Sequence, residues 1–204
     1  MNELGLFPLQ LVLLPTERVP LHIFEDRYKE LIAECLEGDE EFGLVYADED
    51  GIREIGTRAA VVEVLAEFDD GRMNIVVEGR DRFRLLELTS GRSFNTGSVA
   101  AVDDGDDPAE ADSLERALGL FDRLRDLTGS EVVMPEAGTP QLSYVLAGRV
   151  ELATAVKLEL LEETSERVRL ERVCELLEAA AVAFERQRRA AERAATNGRV
   201  HLGS

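Results

Sequence analysis

The run from Leu6 to Tyr28, LFPLQLVLLPTERVPLHIFEDRY, constrains this chain more than any other segment. It holds three prolines and a nearly continuous apolar stretch directly ahead of a helical pattern. Leu9, Leu11 and Leu13 alternate with Gln10, Val12 and Leu14, so both faces are mostly apolar and the segment reads as a buried strand. Pro15 and Pro20 each lack a backbone donor and do not fit a central strand, so they are expected to bracket a bend. After Pro20 the period changes. Ile23, Phe24, Arg27, Tyr28, Leu31, Ile32 and Cys35 recur at helical spacing, which predicts a helix over 24–37 with these side chains along one face. Burial of Phe24 there predicts a loss of ~3–5 kcal/mol on truncation to alanine.

Beyond that helix the first hundred residues read as strands. FGLVY at 42–46 is a short apolar strand, and 48–51 is a turn by composition. AAVVEVLAEF at 59–68 faces MNIVVE at 73–78 across Asp69, Asp70 and Gly71, and the Asp-Gly pair predicts a hairpin of type I′ geometry. Gly79 is expected to interrupt, with RFRLLEL at 82–88 resuming as a strand and 94–102 adding another. Many short strands with one early helix predict a small barrel or strongly curled sheet, because closure removes exposed edges. Residues 103–113 are acidic and broken by Gly105 and Pro108. Their spacing does not match a calcium loop, so they read as a solvated linker.

From Ala109 the period is helical. Leu114, Ala117, Leu118, Phe121 and Leu124 form one stripe; 142–149 and 152–161 read as two more helices. A fourth is capped by Thr164 or Ser165 and carries a stripe of Val168, Val173, Leu176, Leu177, Ala180 and Phe184. The expected organisation is a β-rich domain over 1–102, an acidic linker over 103–113, a helical bundle over 114–195 and a disordered tail over 196–204. The fold class is α+β.

Charge and chemistry exclude several functions. The formal net charge is −19, with 21 acidic against 10 basic residues up to position 102 and 21 against 13 after it. Neither half offers the positive field that phosphate neutralisation needs, so nucleic acid and anionic membrane are not expected partners. Arg80, Arg82, Arg84 and Arg92 are the only local basic cluster of the β-rich half, and pairing with nearby acids accounts for them. No window approaches the ~18 consecutive apolar residues of a membrane span, and the amino terminus lacks a basic n-region, so a cytoplasmic protein is expected. Cys35 and Cys174 lie on apolar helix faces as buried thiols, although a disulfide between them stays open at this point. Only two lysines occur, Lys29 and Lys157, and neither belongs to a phosphate-binding GxxxxGK[ST] run. Lys157 has no glycine-flanked serine nearby to activate. His22 reads as a structural residue tying down the start of the first helix, and His201 lies in the tail. Two histidines with two scattered cysteines do not make a zinc site. No cofactor, metal or catalytic group is expected.

The opening pattern FPL…LP…PLHIFE.RY resembles the amino-terminal substrate-recognition domain of the Lon protease family. Phe7, Pro8, Leu9, Pro20, Leu21, His22, Phe24, Glu25, Arg27 and Tyr28 carry that signature. Further on, FGLVY, Gly56-Thr57 and AAVVEVLAEFDDGRMNIVVEGRDRFRLLEL are similar to the family's order of strand, GT turn, strand, DGR hairpin and G..RFR strand. Leu160-Leu161-Glu162 followed by 167–177 is similar to its closing helices. The resemblance implies a PUA-like β-domain followed by a helical bundle, in a standalone form without ATPase or protease parts. It implies a non-catalytic role in engaging unfolded or tagged polypeptides, with the signature residues mainly in the core. Two alternatives stay open: a scaffold for one folded partner, as a similar domain in cereblon is, and a PUA-like RNA-binding module. The binding surface is not legible; an exposed apolar patch near the junction of the two parts is the place to look. Monomer and dimer both stay open.

Overall fold

The computed structural model describes residues 2–136 and 138–197. Six strands come first: β1 (Asn2–Leu9), β2 (Arg18–Ile23), β3 (Phe42–Asp48), β4 (Gly51–Glu67), β5 (Met73–Thr89) and β6 (Asn95–Ala101). Helix α1 (Asp26–Gly38) is inserted after β2. Four helices follow: α2 (Ala111–Thr128), α3 (Leu142–Ala147), α4 (Thr154–Glu162) and α5 (Glu166–Asn197). The sheet runs β2-β5-β4-β3-β1-β6, and β5 pairs with β6 as well. Five strands therefore close into a small barrel, and β2 is left outside the ring as an appendage on β5. β1 and β3 are parallel; all other pairings are antiparallel. The α+β class and the curled sheet are as the sequence pattern predicts.

Pro15 lies in a turn as expected, but Pro20 does not bracket a bend. Pro20 lies inside β2, not at a bend, because β2 is an edge strand with one free side. Pro8 lies inside β1, past Leu6, where the β6 ladder ends and only β3 continues alongside. The apolar residues Leu11 to Leu14 are not a strand but a strap over the sheet, with Leu13 and Leu14 fully buried. Thr57 Oγ1 donates to the Leu13 carbonyl at 2.6 Å, and the Leu14 N–H donates to Glu17 Oε2 at 2.9 Å. A buried loop is permitted only when such groups are satisfied.

Strands β4 and β5 are 17 residues each, longer than the separate runs expected. Three register shifts between them insert extra residues, which breaks the simple alternation that marks a strand. Gly79 does not interrupt β5; it sits within the strand where the strap crosses it. The hairpin turn is also different. Phe68 N–H donates to Arg72 O at 2.9 Å and Gly71 N–H to Phe68 O at 2.8 Å. Gly71 is left-handed at φ 79° while Asp69 and Asp70 are not, so the loop has three residues closed by a glycine bulge and is not type I′.

One core cluster lies between the sheet and α1, built from Phe7, Tyr28, Leu31, Ile32, Phe42 and Ile75 among others. A smaller one fills the barrel around Phe83 and Leu6. The third joins Val12, Leu14 and Ile55 of the β part to the helices. Ser165 caps α5 as the sequence predicts, accepting from the Val168 N–H at 3.0 Å. The buried stripe of α5 is Leu170, Val173, Cys174, Leu177 and Ala181; Val168 and Phe184 stand at its margin, each 38% exposed. Helices α2 and α5 run parallel, with Arg116–Glu178 at 3.2 Å and Arg123–Glu185 at 2.6 Å at the same offset along both. The expected tail, residues 196–204, falls from 198 onward outside the described residues, as does His201. No helix among the described residues is long and apolar enough to cross a membrane.

Candidate functional site

The signature residues divide into a buried lock and an exposed rim. Phe7 from β1 stacks on Tyr28 from α1, with ring centroids 3.9 Å apart. The Arg27 guanidinium lies 4.6 Å from the Tyr28 ring centre and pairs with Glu25 at 2.7 Å. These four residues fasten the helix to the first strand. Pro8, Leu9 and Leu21 are half-buried, and Pro20, His22 and Phe24 are exposed.

Phe24 is 59% exposed, which overturns its expected place in the core. Helix α1 starts at Asp26, two residues later than the spacing predicts. Strand β2 continues through Ile23, so 22–24 alternate as a strand does: Ile23 turns inward, His22 and Phe24 outward. Arg27 likewise leaves the buried face, which consists of Tyr28, Leu31, Ile32 and Cys35. Phe24→Ala is therefore expected to change stability by less than about 0.5 kcal/mol in chemical denaturation, as surface substitutions do. A loss near 3 kcal/mol would restore the buried placement.

His22, Phe24 and Phe68 gather on the outer face at the end of the β2–β5–β4 arm. The His22 ring stacks with Phe24 at 5.9 Å and meets Phe68 edge-on at 6.5 Å. The Arg72 guanidinium covers Phe68 at 5.2 Å, and Asp70 holds Arg72 at 2.7 Å. His22 Nδ1 and Asn74 Oδ1 are hydrogen-bonded at 2.6 Å, so this histidine ties β2 to β5 instead of securing the helix. Phe68 is 39% exposed, and Val64 and Leu65 on the same arm are 43% and 54% exposed. This apolar rim lies at the opposite end of β4 from Ile55, which packs against the helices.

The junction between the sheet and the helices holds a charged network instead. Arg82 and Arg169 are buried, at 3% and 0% exposure. Asp104 bridges them, 2.5 Å from Arg82 and 2.6 Å from Arg169. Arg82 also donates to the carbonyls of Leu161 and Glu163, both at 2.8 Å. Arg169 adds Glu166 at 2.6 Å and the Ser143 hydroxyl at 3.0 Å. Its guanidinium lies over the Tyr144 ring at 4.1 Å. Burial works to raise the Asp104 pKa, but hydrogen bonding and charge from Arg169, with charge from Arg82, hold it below the usual value. Burial pushes the Tyr144 hydroxyl up to about 12. A second junction pair joins Lys157 to Glu17, so the lysine is held within a salt bridge. Every guanidinium and carboxylate here has its partners, which is a fastening and not an arrangement poised to react.

The acidic segment is thus pinned where a solvated linker was expected, since Asp107 also accepts from Ser165 at 2.6 Å and pairs with Arg167. Composition cannot pick out two bound carboxylates among many solvated ones. The cluster of Arg80, Arg82, Arg84 and Arg92 is ion-paired throughout, to Glu78, Asp104, Glu54 and Glu34. Cys35 and Cys174 are free and buried. Burial, helped by Glu40 and Glu34, pushes the Cys35 thiol up to about 11, far from the range of a reactive thiolate. Among the described residues, no group of three or more His, Cys, Asp or Glu side chains is placed to hold a metal ion. A groove of about 400 Å³ lies in the helical part, walled by Phe121, Leu124, Val132, Val150 and Phe184.

The family model for the ATP-dependent protease La (LON) substrate-binding domain matches residues 3–179. The Lon protease of Rhizobium meliloti is 27% identical over 184 residues, covering 82% of this chain and 23% of that protein. The Lon protease of Brucella melitensis biotype 1 is 26% identical over 186 residues, covering 83% and 23%. The chain therefore spans less than a quarter of the length of these curated relatives. A solved Lon N-terminal domain protein from Xanthomonas campestris superposes with a TM-score of 0.66 at 24% identity, over 85% of this chain and 97% of that one. The N-terminal domain of the Mycobacterium avium complex Lon protease gives 0.67 at 18% identity, over 87% and 98%. At these identities the two structures speak to the fold.

Proposed function

Because the chain belongs to the ATP-dependent protease La (LON) substrate-binding domain family, we propose that it is a non-catalytic, cytoplasmic module that recognises unfolded or tagged polypeptides, as an adaptor in protein quality control. The observation that carries this reading is the rim of His22, Phe24 and Phe68, whose rings gather in solvent on the strand arm. An aromatic surface of this kind gives apolar segments of an unfolded chain something to cover. The fully paired arginines and the −19 net charge favour a polypeptide over RNA. The absence from this sequence of a phosphate-binding glycine-lysine run, and of a serine placed for Lys157 to activate, supports binding without ATP hydrolysis or cleavage.

Two or three apolar contacts of ~1.5–3 kcal/mol each, opposed by the ordering of a flexible guest, give weak monovalent binding. A dissociation constant of about 10 µM or weaker is expected. Fluorescence anisotropy with a reduced, carboxymethylated and labelled protein as the unfolded probe measures it. Phe24→Ala combined with Phe68→Ala is expected to weaken binding by about tenfold or more. Nanomolar affinity in a monomer, or binding indifferent to both substitutions, overturns this reading.

A further inference from the structure

Resting on that reading, the topology adds how the guest is held. The ring β5-β4-β3-β1-β6 closes on itself, but among the described residues the arm beyond it has two edges, the far side of β2 and the far side of β4 over 60–67, and register shifts at Val61/Glu63 and Val64/Ala66 break the second as a template for pairing. Strand β2 pairs with β5 alone, from Arg18↔Glu78 to Ile23↔Met73. Gly79 donates its N–H to Glu17 O at 2.9 Å and accepts from Thr16 N at 2.8 Å, so Gly79 faces the β2 side. The alternation of an antiparallel ladder then turns Val77, Ile75 and Met73 toward Val19, Leu21 and Ile23. The backbone groups of Arg18, Pro20 and His22 consequently point away from β5, along the free edge. Pro20 stands at the position where its missing N–H withdraws nothing from the ladder. Two donors and three acceptors are left on that edge. The same three residues present exposed side chains on the outer face, which continues into Phe24 and Phe68.

We infer that the guest polypeptide is bound as an added strand along the free edge of β2, with alternate side chains laid on the His22–Phe24–Phe68 rim. Backbone hydrogen bonds supply sequence-tolerant attachment, and the rings favour apolar residues at every second position. The edge also selects against a second copy of this chain. Pairing two β2 edges so that both prolines are used loses two hydrogen bonds, whereas a guest without proline loses one. Two copies of charge −19 repel as well. The arm itself is mildly acidic: residues 18–29 and 60–80 carry five cations against seven carboxylates, so neutral or basic guests meet little repulsion there.

The mode predicts a parity effect. In a hydrogen-bonded antiparallel pair the facing side chains share one side, so guest residues bonded to the β2 edge are those that reach the rim. The probe is a synthetic peptide alternating phenylalanine and threonine between terminal lysines. N-methylation of the phenylalanine amides is expected to weaken binding by about tenfold or more, while N-methylation of the threonine amides leaves it within about twofold. Amide exchange at Arg18 and His22 should slow on binding, with Val19 and Leu21 unaffected. Equal effects at both parities, or none at either, overturn the added strand while leaving a Phe24-sensitive interaction standing. Failure of the unmodified peptide and of the unfolded probe to bind at all overturns the recognition reading with it. A dimer of the free chain closed through β2 in sedimentation and crosslinking overturns the selection against self-pairing.

Discussion

Replacing Asp104 with alanine is expected to lower the unfolding free energy by about 3–5 kcal/mol. Among the described residues the carboxylate is the one anion shared by Arg82 and Arg169, whose side chains are 2% and 0% exposed and which otherwise share only the neutral Glu163 carbonyl and the Tyr144 ring. Removing it leaves Arg82 with backbone carbonyls alone and Arg169 with Glu166 as its remaining anion. Neither guanidinium can shed its proton to escape, because arginine stays charged at any working pH. Guanidinium denaturation measures the loss, and a value under about 1 kcal/mol would show that the network contributes packing only. The same carboxylate sets an acid response. Its folded pKa is lowered from 3.8, so the folded state binds this proton less readily than the unfolded chain does. Its contribution is complete above the unfolded value and drains away as pH falls through the folded one. In Asp104→Asn that part of the acid slope should be missing.

Gly79→Ala is expected to cost about 3 kcal/mol, although it adds a single methyl group to a strand. A Cβ at Gly79 would meet the Leu14 carbonyl oxygen well inside contact distance, with the Leu13 side chain also at 3.2 Å. The obstacle is backbone, so no rotamer change relieves it. Lifting the strap would strain the two hydrogen bonds that Gly79 makes with the Thr16 N–H and the Glu17 carbonyl and draw Leu13 and Leu14 from the two cores they fill. Thr16 is already left-handed at φ 67°, which leaves the turn little freedom to adjust. Thermal unfolding of the variant tests this; a transition unchanged within a degree or two would mean that the strap yields easily.

Residue pattern announced the architecture more readily than the site. The helical stripe of α1, the Asp-Gly hairpin and the Ser165 cap are local signals, each written within a few residues, and the structure has all three. The 17-residue strands were harder to see because bulges near Val62 and Leu65 shift the alternation. Phe24 escapes the local pattern because a strand and a helix meet at Glu25, where either period accommodates the same apolar residues. Pro20 reads as a bend because edge and central strands differ only in long-range pairing, which no local window contains. Asp104 was one acid among many: its partners lie 22 and 65 positions away. The exposed rim is the complement of that problem. An aromatic residue in a sequence reads as core until the neighbours that fail to cover it are known.

The ring closes through its first strand. Asn2 pairs with Val99, and the last carbonyl held by Arg82 belongs to Glu163. A ribosome adding ~5–20 residues each second must therefore work for on the order of ten seconds before the opening segment finds its final neighbour and the interior cation its full set of acceptors. Throughout that interval the nascent chain displays the apolar surface of Val12, Leu14 and Ile55 that the helices will later cover. On the function proposed above, the protein is, while being made, a client of the kind it would recognise.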